Sequence, residues 1–96
     1  MIEVRQTEVF FKWLMGLRDV RARARIQARI DRLESGNAGD AKPVGEGVSE
    51  MRIDYGPGYR VYFIKRRSEL VILLAGGDKS SQSKDIRKAL SLAADL

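Results

Sequence analysis

Apolar residues in the first third of the chain recur at the spacing of two helices. A short apolar–polar alternation at residues 2–5 predicts an edge strand, and Thr7 is placed to cap the helix that follows. The apolar stripe of this helix is Phe10, Trp13, Leu14 and Leu17. Asp19 then predicts the start of a second helix that runs to about residue 34. The apolar arc of the second helix is Ala22, Ile26, Ile30 and Leu33.

The second half of the chain changes to patterns that are typical of strands. The segment 42–47 predicts irregular or edge structure, because Pro43 lacks the N–H that a central ladder needs. Residues 48–55 and 59–65 flank Gly-Pro-Gly and predict a hairpin. After a turn at 66–69, the run 70–75 is apolar on both faces, which indicates a central strand covered on both sides.

A last helix is predicted after several possible N-caps at residues 80–85. Its apolar face is Ile86, Ala89, Leu90 and Ala93. The predicted order is β-α-α-β-β-β-α, and 96 residues support one domain, 1–96. The sequence therefore predicts an α+β protein whose helices pack on a small antiparallel sheet.

Composition limits the chemistry available to this domain. The chain has no cysteine and no histidine, which argues against a disulfide framework and a transition-metal centre. We expect no cofactor, and catalysis would have to use Lys, Arg, Tyr or carboxylates. No apolar run is long enough to span a bilayer and the first residues lack a secretory pattern, so we expect a cytoplasmic protein. The net charge of +5 indicates an anionic partner, such as nucleic acid or an acidic protein.

Four arginines lie beside the apolar arc of the second helix, namely Arg21, Arg25, Arg29 and Arg32. They form either a solvated face whose stems cover apolar surface or a ridge that binds RNA or an acidic partner. Lys84 adds charge on the last helix. We take Arg21, Arg25, Arg29 and Lys84 as candidate RNA-binding residues.

Strand alternation places Arg60 on one face of the hairpin with Tyr62 and Ile64, and Glu50 with Arg52 on one face of the preceding arm. A charge inside a strand is costly unless it is paired or functional. Arg60 therefore either forms an ion pair with Glu50 or Asp54, or offers its guanidinium fork to a phosphate.

Lys79 follows two glycines at the end of the apolar strand, near the start of the last helix. Asp78 either pairs with Lys79 or caps the turn. Arg60 and Lys79 would stabilise charge on a phosphate that a 2′-hydroxyl attacks. The proton would go to Glu50, or to Lys79 if the pKa of Lys79 is lowered. The candidate catalytic set is Arg60, Lys79, Arg52 and Glu50.

Four segments carry a combined pattern that is more specific than any of them alone. They are RIDYGPGYRVYF at 52–63, GGDKSSQSKDI at 76–86, FFKWLMGLRD at 10–19 and GNAGDAKPVGEGVSEMRI at 36–53. Together they resemble the HigB-like addiction-module killer proteins, which belong to the RelE/ParE superfamily of toxins from type II toxin–antitoxin systems. The resemblance covers nearly the whole chain.

The resemblance implies two N-terminal helices, a curved antiparallel sheet and a C-terminal helix. It also implies cleavage of mRNA on the ribosome. A cognate antitoxin would neutralise the protein; this antitoxin would be a helix-turn-helix protein, and contact with DNA would occur only through it. Arg60 matches the strand arginine that contacts the phosphate, while Arg52 and Lys79 match basic residues of the neighbouring strands.

Two positions depart from the pattern of relatives. The Tyr or His that some relatives carry in the last segment is missing and Asp85 lies near that position, while Glu50 stands where RelE itself has a second basic residue. Two alternatives to a nuclease therefore stay open. One is a ParE-like inhibitor of DNA gyrase, and the other is a non-catalytic module bound to its antitoxin.

Overall fold

Five strands form one sheet in the computed structural model, which describes residues 2–96. The elements are β1 (Glu3–Gln6), α1 (Glu8–Met15), α2 (Val20–Glu34), β2 (Ala41–Gly45), β3 (Val48–Ile53), β4 (Tyr59–Arg66), β5 (Leu70–Gly77) and α3 (Gln82–Ala94). A single 3-10 turn, Lys79–Ser81, precedes α3. The strand order across the sheet is β1-β5-β4-β3-β2. This arrangement confirms the predicted α+β class.

The structure confirms edge strands where the sequence indicates them but differs in strand number and in one pairing. The segment predicted as irregular or edge structure forms an edge strand, β2, so the chain has one strand more than the predicted order. Its pairing with β3 is irregular between Pro43 and Gly45. At the other edge β1 pairs with β5 in parallel, whereas β2 to β5 are antiparallel. This pairing joins residues about 67 positions apart in the register, and local alternation carries no information about it.

Side-chain caps fix the starts of the first two helices as predicted. The Thr7 hydroxyl accepts a hydrogen bond from Phe10 N at 3.1 Å and donates one to Leu74 O at 2.7 Å. Asp19 accepts from Arg21 N and Ala22 N at 2.9 and 3.2 Å. Each cap satisfies amide groups that the first turn of a helix leaves unpaired. Thr7 also ties the start of α1 to β5.

The sheet separates two hydrophobic cores. α1 and α2 cover one face, and their core contains Phe10, Leu14, Ile26, Ile30, Leu33, Met51, Ile53, Val61, Phe63, Val71 and Leu73. α3 covers the other face over Val48, Tyr62, Ile64, Leu74, Ala75, Ala89 and Ala93. β4 and β5 are therefore buried on both sides, as the apolar run of β5 predicts.

Two glycines at the end of β5 allow side chains from the helices to approach the strand closely. A Cβ on Gly76 would collide with the ring of Trp13, and a Cβ on Gly77 would collide with the carboxylate of Asp85. β5 also carries a bulge opposite Tyr62 and Phe63, so that Leu74 and Ala75 both face α3. The end of β5 is thus shaped to bring α1 and α3 against the sheet. Within residues 2–96, none of the helices is long and apolar enough to cross a membrane.

Candidate functional site

Two arginines lie directly opposite each other on adjacent strands. Arg52 of β3 is the register partner of Arg60 of β4, and Gly77 of β5 follows next in the same row. The neighbouring row pairs Glu50 with Tyr62. Like charges opposite each other destabilise a sheet unless a counter-charge lies between them. Here that counter-charge is Glu50.

Glu50 is completely buried beneath the arginines. Its Oε1 accepts a hydrogen bond from Arg52 Nε at 3.3 Å. Its Oε2 accepts from Gln82 Nε2 at 2.8 Å and from the Tyr62 hydroxyl at 3.2 Å, and lies 3.6 Å from Arg60 Nε. The predicted ion pair between Arg60 and Glu50 is therefore present. All three elements β3, β4 and α3 contribute a group to this carboxylate.

The hydrogen bonds decide the ionisation state of Glu50. Burial alone would raise the pKa of this carboxyl, but the hydrogen bonds from Gln82, Arg52 and Tyr62 and the charge of Arg60 outweigh burial, so the pKa is lowered. The pKa of the Tyr62 hydroxyl shifts in the opposite direction, because burial and the adjacent Glu50 carboxylate raise it. At neutral pH the pair is therefore a carboxylate that accepts from a neutral phenol.

The guanidinium of Arg60 is held from two sides. It is 8% exposed, and its Nη1 donates to Gly58 O at 2.8 Å. Its Nε is buried and has no hydrogen-bond partner within residues 2–96. The side chain of Arg52, by contrast, is 40% exposed. The two guanidinium groups thus form a cationic surface at the end of the sheet, with Arg60 the more fixed of the two.

Lys79 lies beside this pair, on the turn that precedes α3. Its backbone N–H donates to Pro57 O at 3.4 Å, and a Cβ on Gly58 would lie 3.5 Å from the Cβ of Lys79. Its side chain is exposed. Asp78 caps the 3-10 turn by accepting from Ser80 N at 2.8 Å, and within residues 2–96 it forms no ion pair with Lys79. The hydrogen bond from Ser80 lowers the pKa of Asp78.

The start of α3 supplies two polar groups that sequence patterns did not single out as a pair. Gln82 reaches Glu50, while Asp85 accepts from the Ser81 hydroxyl and packs over Gly77. Gln82 lies 32 positions from Glu50 in the sequence. The only sequence signal for their contact is the polar content of the first turn of α3.

The candidate RNA-binding residues of α2 have different surroundings. Arg29 donates to Arg52 O and to Ala38 O, so its guanidinium joins α2 to β3 and to the loop before β2. Arg25 lies over the ring of Tyr55, 4.8 Å from its centroid. The Tyr55 hydroxyl donates to Asp19 at 2.9 Å, which lowers the pKa of Asp19 and raises that of Tyr55. Arg21 and, on α3, Lys84 are exposed.

The α+β fold, with three helices on a five-stranded mixed sheet, is consistent with a RelE-like fold. The family model "Phage derived protein Gp49-like (DUF891)" matches residues 12–96. A relative from Haemophilus influenzae, named only "Uncharacterized protein", is 53% identical over 95 residues, which is 99% of this chain and 96% of the relative. No solved structure matches. The chain therefore belongs to the Gp49-like family, a RelE-like family associated with toxin–antitoxin systems.

Proposed function

We propose that this protein is the toxin of a type II toxin–antitoxin system and acts as a HigB-like, ribosome-dependent endoribonuclease that cleaves mRNA without a metal ion. The observation that carries the proposal is the cross-strand pair of Arg52 and Arg60 above the buried carboxylate of Glu50. Membership of a toxin–antitoxin-associated family supports it.

The charge balance of the arginine pair favours an anion on its open side. Arg52, Arg60 and Lys79 carry three positive charges, and buried Glu50 offsets one of them. Asp40 and Asp54 border the same end of the sheet and lower its net charge further. Arg60 is desolvated, so its attraction for an anion is screened less than that of an exposed side chain. A phosphate in this position would also supply an acceptor for guanidinium protons that face outward.

Cleavage would use this charge to stabilise the transition state. When a 2′-hydroxyl attacks the adjacent phosphate, a 2′,3′-cyclic phosphate forms and the bond to the 5′ oxygen of the next nucleotide breaks. Over the whole step the 2′-hydroxyl loses a proton and the leaving 5′ oxygen gains one. Negative charge grows on the phosphoryl oxygens during the attack, and fixed donors aimed at those oxygens lower the barrier. Arg60 would contact the scissile phosphate, with Arg52 and Lys79 at its sides. Because Arg60 is already held by Gly58 and Glu50, it needs little reorganisation to do so.

We assign Glu50 a positioning role in this reaction. Its carboxylate has no exposed surface and accepts three hydrogen bonds, so a substrate hydroxyl has no direct access to it. Its charge instead orients the two arginines and offsets their repulsion.

The proposed partners follow from this activity. The substrate is mRNA presented by the ribosome, to which the exposed cations of α2 and α3, such as Arg21 and Lys84, would contribute contacts. A cognate antitoxin, proposed to be a helix-turn-helix protein, would neutralise the toxin, and contact with DNA would occur only through it. The site of action would be the cytoplasm.

Growth arrest on induced expression tests the proposal. We expect the wild-type chain to stop growth, and Arg60→Ala and Lys79→Ala to lose most of this toxicity, because each removes charge from the phosphate site. Arg87→Ala, which removes an equally charged but exposed side chain of α3, is the matched control and should remain toxic. Circular dichroism and thermal unfolding of each purified variant establish that it folds, and Arg60→Lys provides a second variant that keeps the charge.

Full toxicity of folded Arg60→Ala and Lys79→Ala would show that the proposed site is wrong. Inhibition of purified DNA gyrase in a supercoiling assay, with translation intact, would instead assign the protein to the ParE-like inhibitors.

A further inference from the structure

A pocket of about 240 Å³ at the end of the sheet is lined by both arginines and carboxylates. It is formed where β2 begins, β3 ends and β4 begins. Its lining residues are Asp40, Arg52, Ile53, Asp54, Gly58, Tyr59 and Arg60. Its two arginines belong to the phosphate site proposed above. Its two carboxylates have no role in that site.

The carboxylates of Asp40 and Asp54 are exposed and unused by the fold. Within residues 2–96, neither carboxylate accepts a hydrogen bond, although the backbone carbonyl of Asp40 accepts one from Arg52 N. Neither carboxylate lies within 4.0 Å of a cationic nitrogen. Asp54 also borders the neighbouring pocket, which Arg25, Arg29 and Arg32 line. An acid that stays unpaired among so many arginines has its acceptor oxygens available to a ligand.

Tyr59 also lines this pocket, and its ring packs against the core that α1 and α2 cover. It is half-buried and is the register partner of Ile53, so it stands at the start of β4. The ring of Trp13 supports it in an edge contact with centroids 6.2 Å apart.

We propose that this pocket holds the nucleotide next to the scissile phosphate, with its phosphate toward Arg52 and Arg60 and its base toward Asp54. The inference rests on the proposed nuclease function and adds the base that the site selects. A carboxylate accepts hydrogen bonds and donates none, so it favours a base edge that presents N–H groups. It disfavours an edge that presents carbonyl oxygens.

Guanine matches this requirement best among the four bases. Its Watson–Crick edge carries two adjacent donors, N1–H and the N2 amino group, which suit the two oxygens of one carboxylate. Adenine and cytosine offer a single amino donor, and uracil places a carbonyl on each side of its N3–H. Asp54 would therefore select guanine most strongly and uracil least, with Asp40 adding negative potential on the same side.

The sequences around mapped cleavage sites test this inference. After brief induction of the wild-type protein, we expect guanine to exceed uracil about tenfold at one fixed position next to the cut, the discrimination typical of a bidentate contact to a base. Asp54→Asn keeps the size of the side chain and replaces one acceptor by a donor, so the ratio should fall to about twofold or less. Asp54→Glu keeps the carboxylate and should retain a preference for guanine.

Asp95→Asn is the matched control, since it removes the same charge at the far end of α3, and it should cut with the wild-type preference. Cuts without a guanine preference, or with a preference that Asp54→Asn leaves unchanged, would overturn the inference while the nuclease function stands. Loss of all cutting in Asp54→Asn would also overturn it, because Asp54 is assigned to selection and not to chemistry. If the wild-type protein makes no cuts, both the nuclease function and this inference fail.

Discussion

Glu50 is the residue around which the candidate site is assembled. Its carboxylate is fully buried, yet the pKa is lowered because three hydrogen bonds and the charge of Arg60 outweigh the effect of burial. A buried charge persists only where partners of this kind compensate for lost hydration. The same contacts that keep Glu50 ionised also fix the directions in which Arg52 and Arg60 point. Stability and site geometry therefore depend on one carboxylate.

The pH dependence of stability in Glu50→Gln tests this role. At neutral pH the variant leaves two facing arginines without a counter-charge, so we expect the free energy of unfolding to fall by about 3 kcal/mol. Because the folded-state pKa lies below the ordinary value of 4.5, the stabilisation by ionised Glu50 is present above that value. It is lost as the pH falls through the folded-state pKa. The difference from wild type should therefore shrink in acid.

Urea unfolding of both proteins across this pH range provides the measurement. Glu69→Gln, at an exposed position, controls for the general loss of a negative charge and should behave as wild type within about 0.5 kcal/mol. A difference that stays constant from neutral pH into acid would contradict the ionised state assigned to Glu50.

Strand alternation predicted which residues share the face of the site but not what they contact. The shared face of Arg60, Tyr62 and Ile64 and the Arg60–Glu50 pair are both present. The contact between Gln82 and Glu50 was not predicted, because it depends on how α3 packs on the sheet. The periodicity of the sequence contains no information about that packing. The proposed roles of Arg60, Lys79 and Arg52 stay predictions.

Arg29 is a second residue whose contact with another element the sequence pattern does not predict. On a helical wheel it belongs to one basic ridge with Arg21 and Arg25, and the wheel does not distinguish exposed members from those that contact another element. In the structure Arg29 is half-buried and donates to Arg52 O and Ala38 O. Gly39 accommodates it, since a Cβ there would lie 2.8 Å from Arg29 Nη2. Arg29 therefore fixes α2 against the strand that carries Arg52.

Removing this contact should loosen the packing of α2 against β3. For Arg29→Ala we expect the free energy of unfolding to fall by about 2 kcal/mol, because two carbonyl groups lose a charged donor. Arg29→Lys should lie between Arg29→Ala and wild type, since an ammonium lacks the planar fork that reaches both carbonyls. Chemical denaturation measures both variants. Arg21→Ala, on an exposed position of the same helix, is the control, and equal stability of Arg29→Ala and Arg21→Ala would contradict the contact.

Local signals predicted most elements because most begin or end at a residue with specific chemistry. Thr7 and Asp19 cap α1 and α2, and Gly-Pro-Gly joins β3 to β4, as the sequence indicates. The parallel pairing of β1 and the bulge in β5 depend on packing between distant segments. Pro43 excludes a central strand but is tolerated in an edge strand such as β2. The sequence therefore did not distinguish irregular from edge structure in this segment.

Arginines of the whole molecule lie at both ends of the sheet, since Arg5, Arg66 and Arg67 line a pocket at the end opposite to Arg60. The net charge is +5, and the pockets at the end of the sheet are lined by arginines from α2, β3 and β4. Lys79 lies beside the same end. The net charge of +5 attracts a polyanion before any specific contact forms. The arginines of α2, β3 and β4 agree with the proposal that mRNA binds at the end of the sheet where Arg52 and Arg60 meet.

Mapping of RNA ends after brief induction is the most direct test of the central claim, that Arg60 acts on a phosphate of translated mRNA. Primer extension should show new 5′ ends inside translated messages, in phase with codons, within minutes of induction of the wild-type protein. The folded Arg60→Ala variant should show none, while Arg87→Ala should reproduce the wild-type cuts. Intact messages in cells whose growth the wild-type protein has stopped would contradict the nuclease proposal, as would identical cuts from Arg60→Ala.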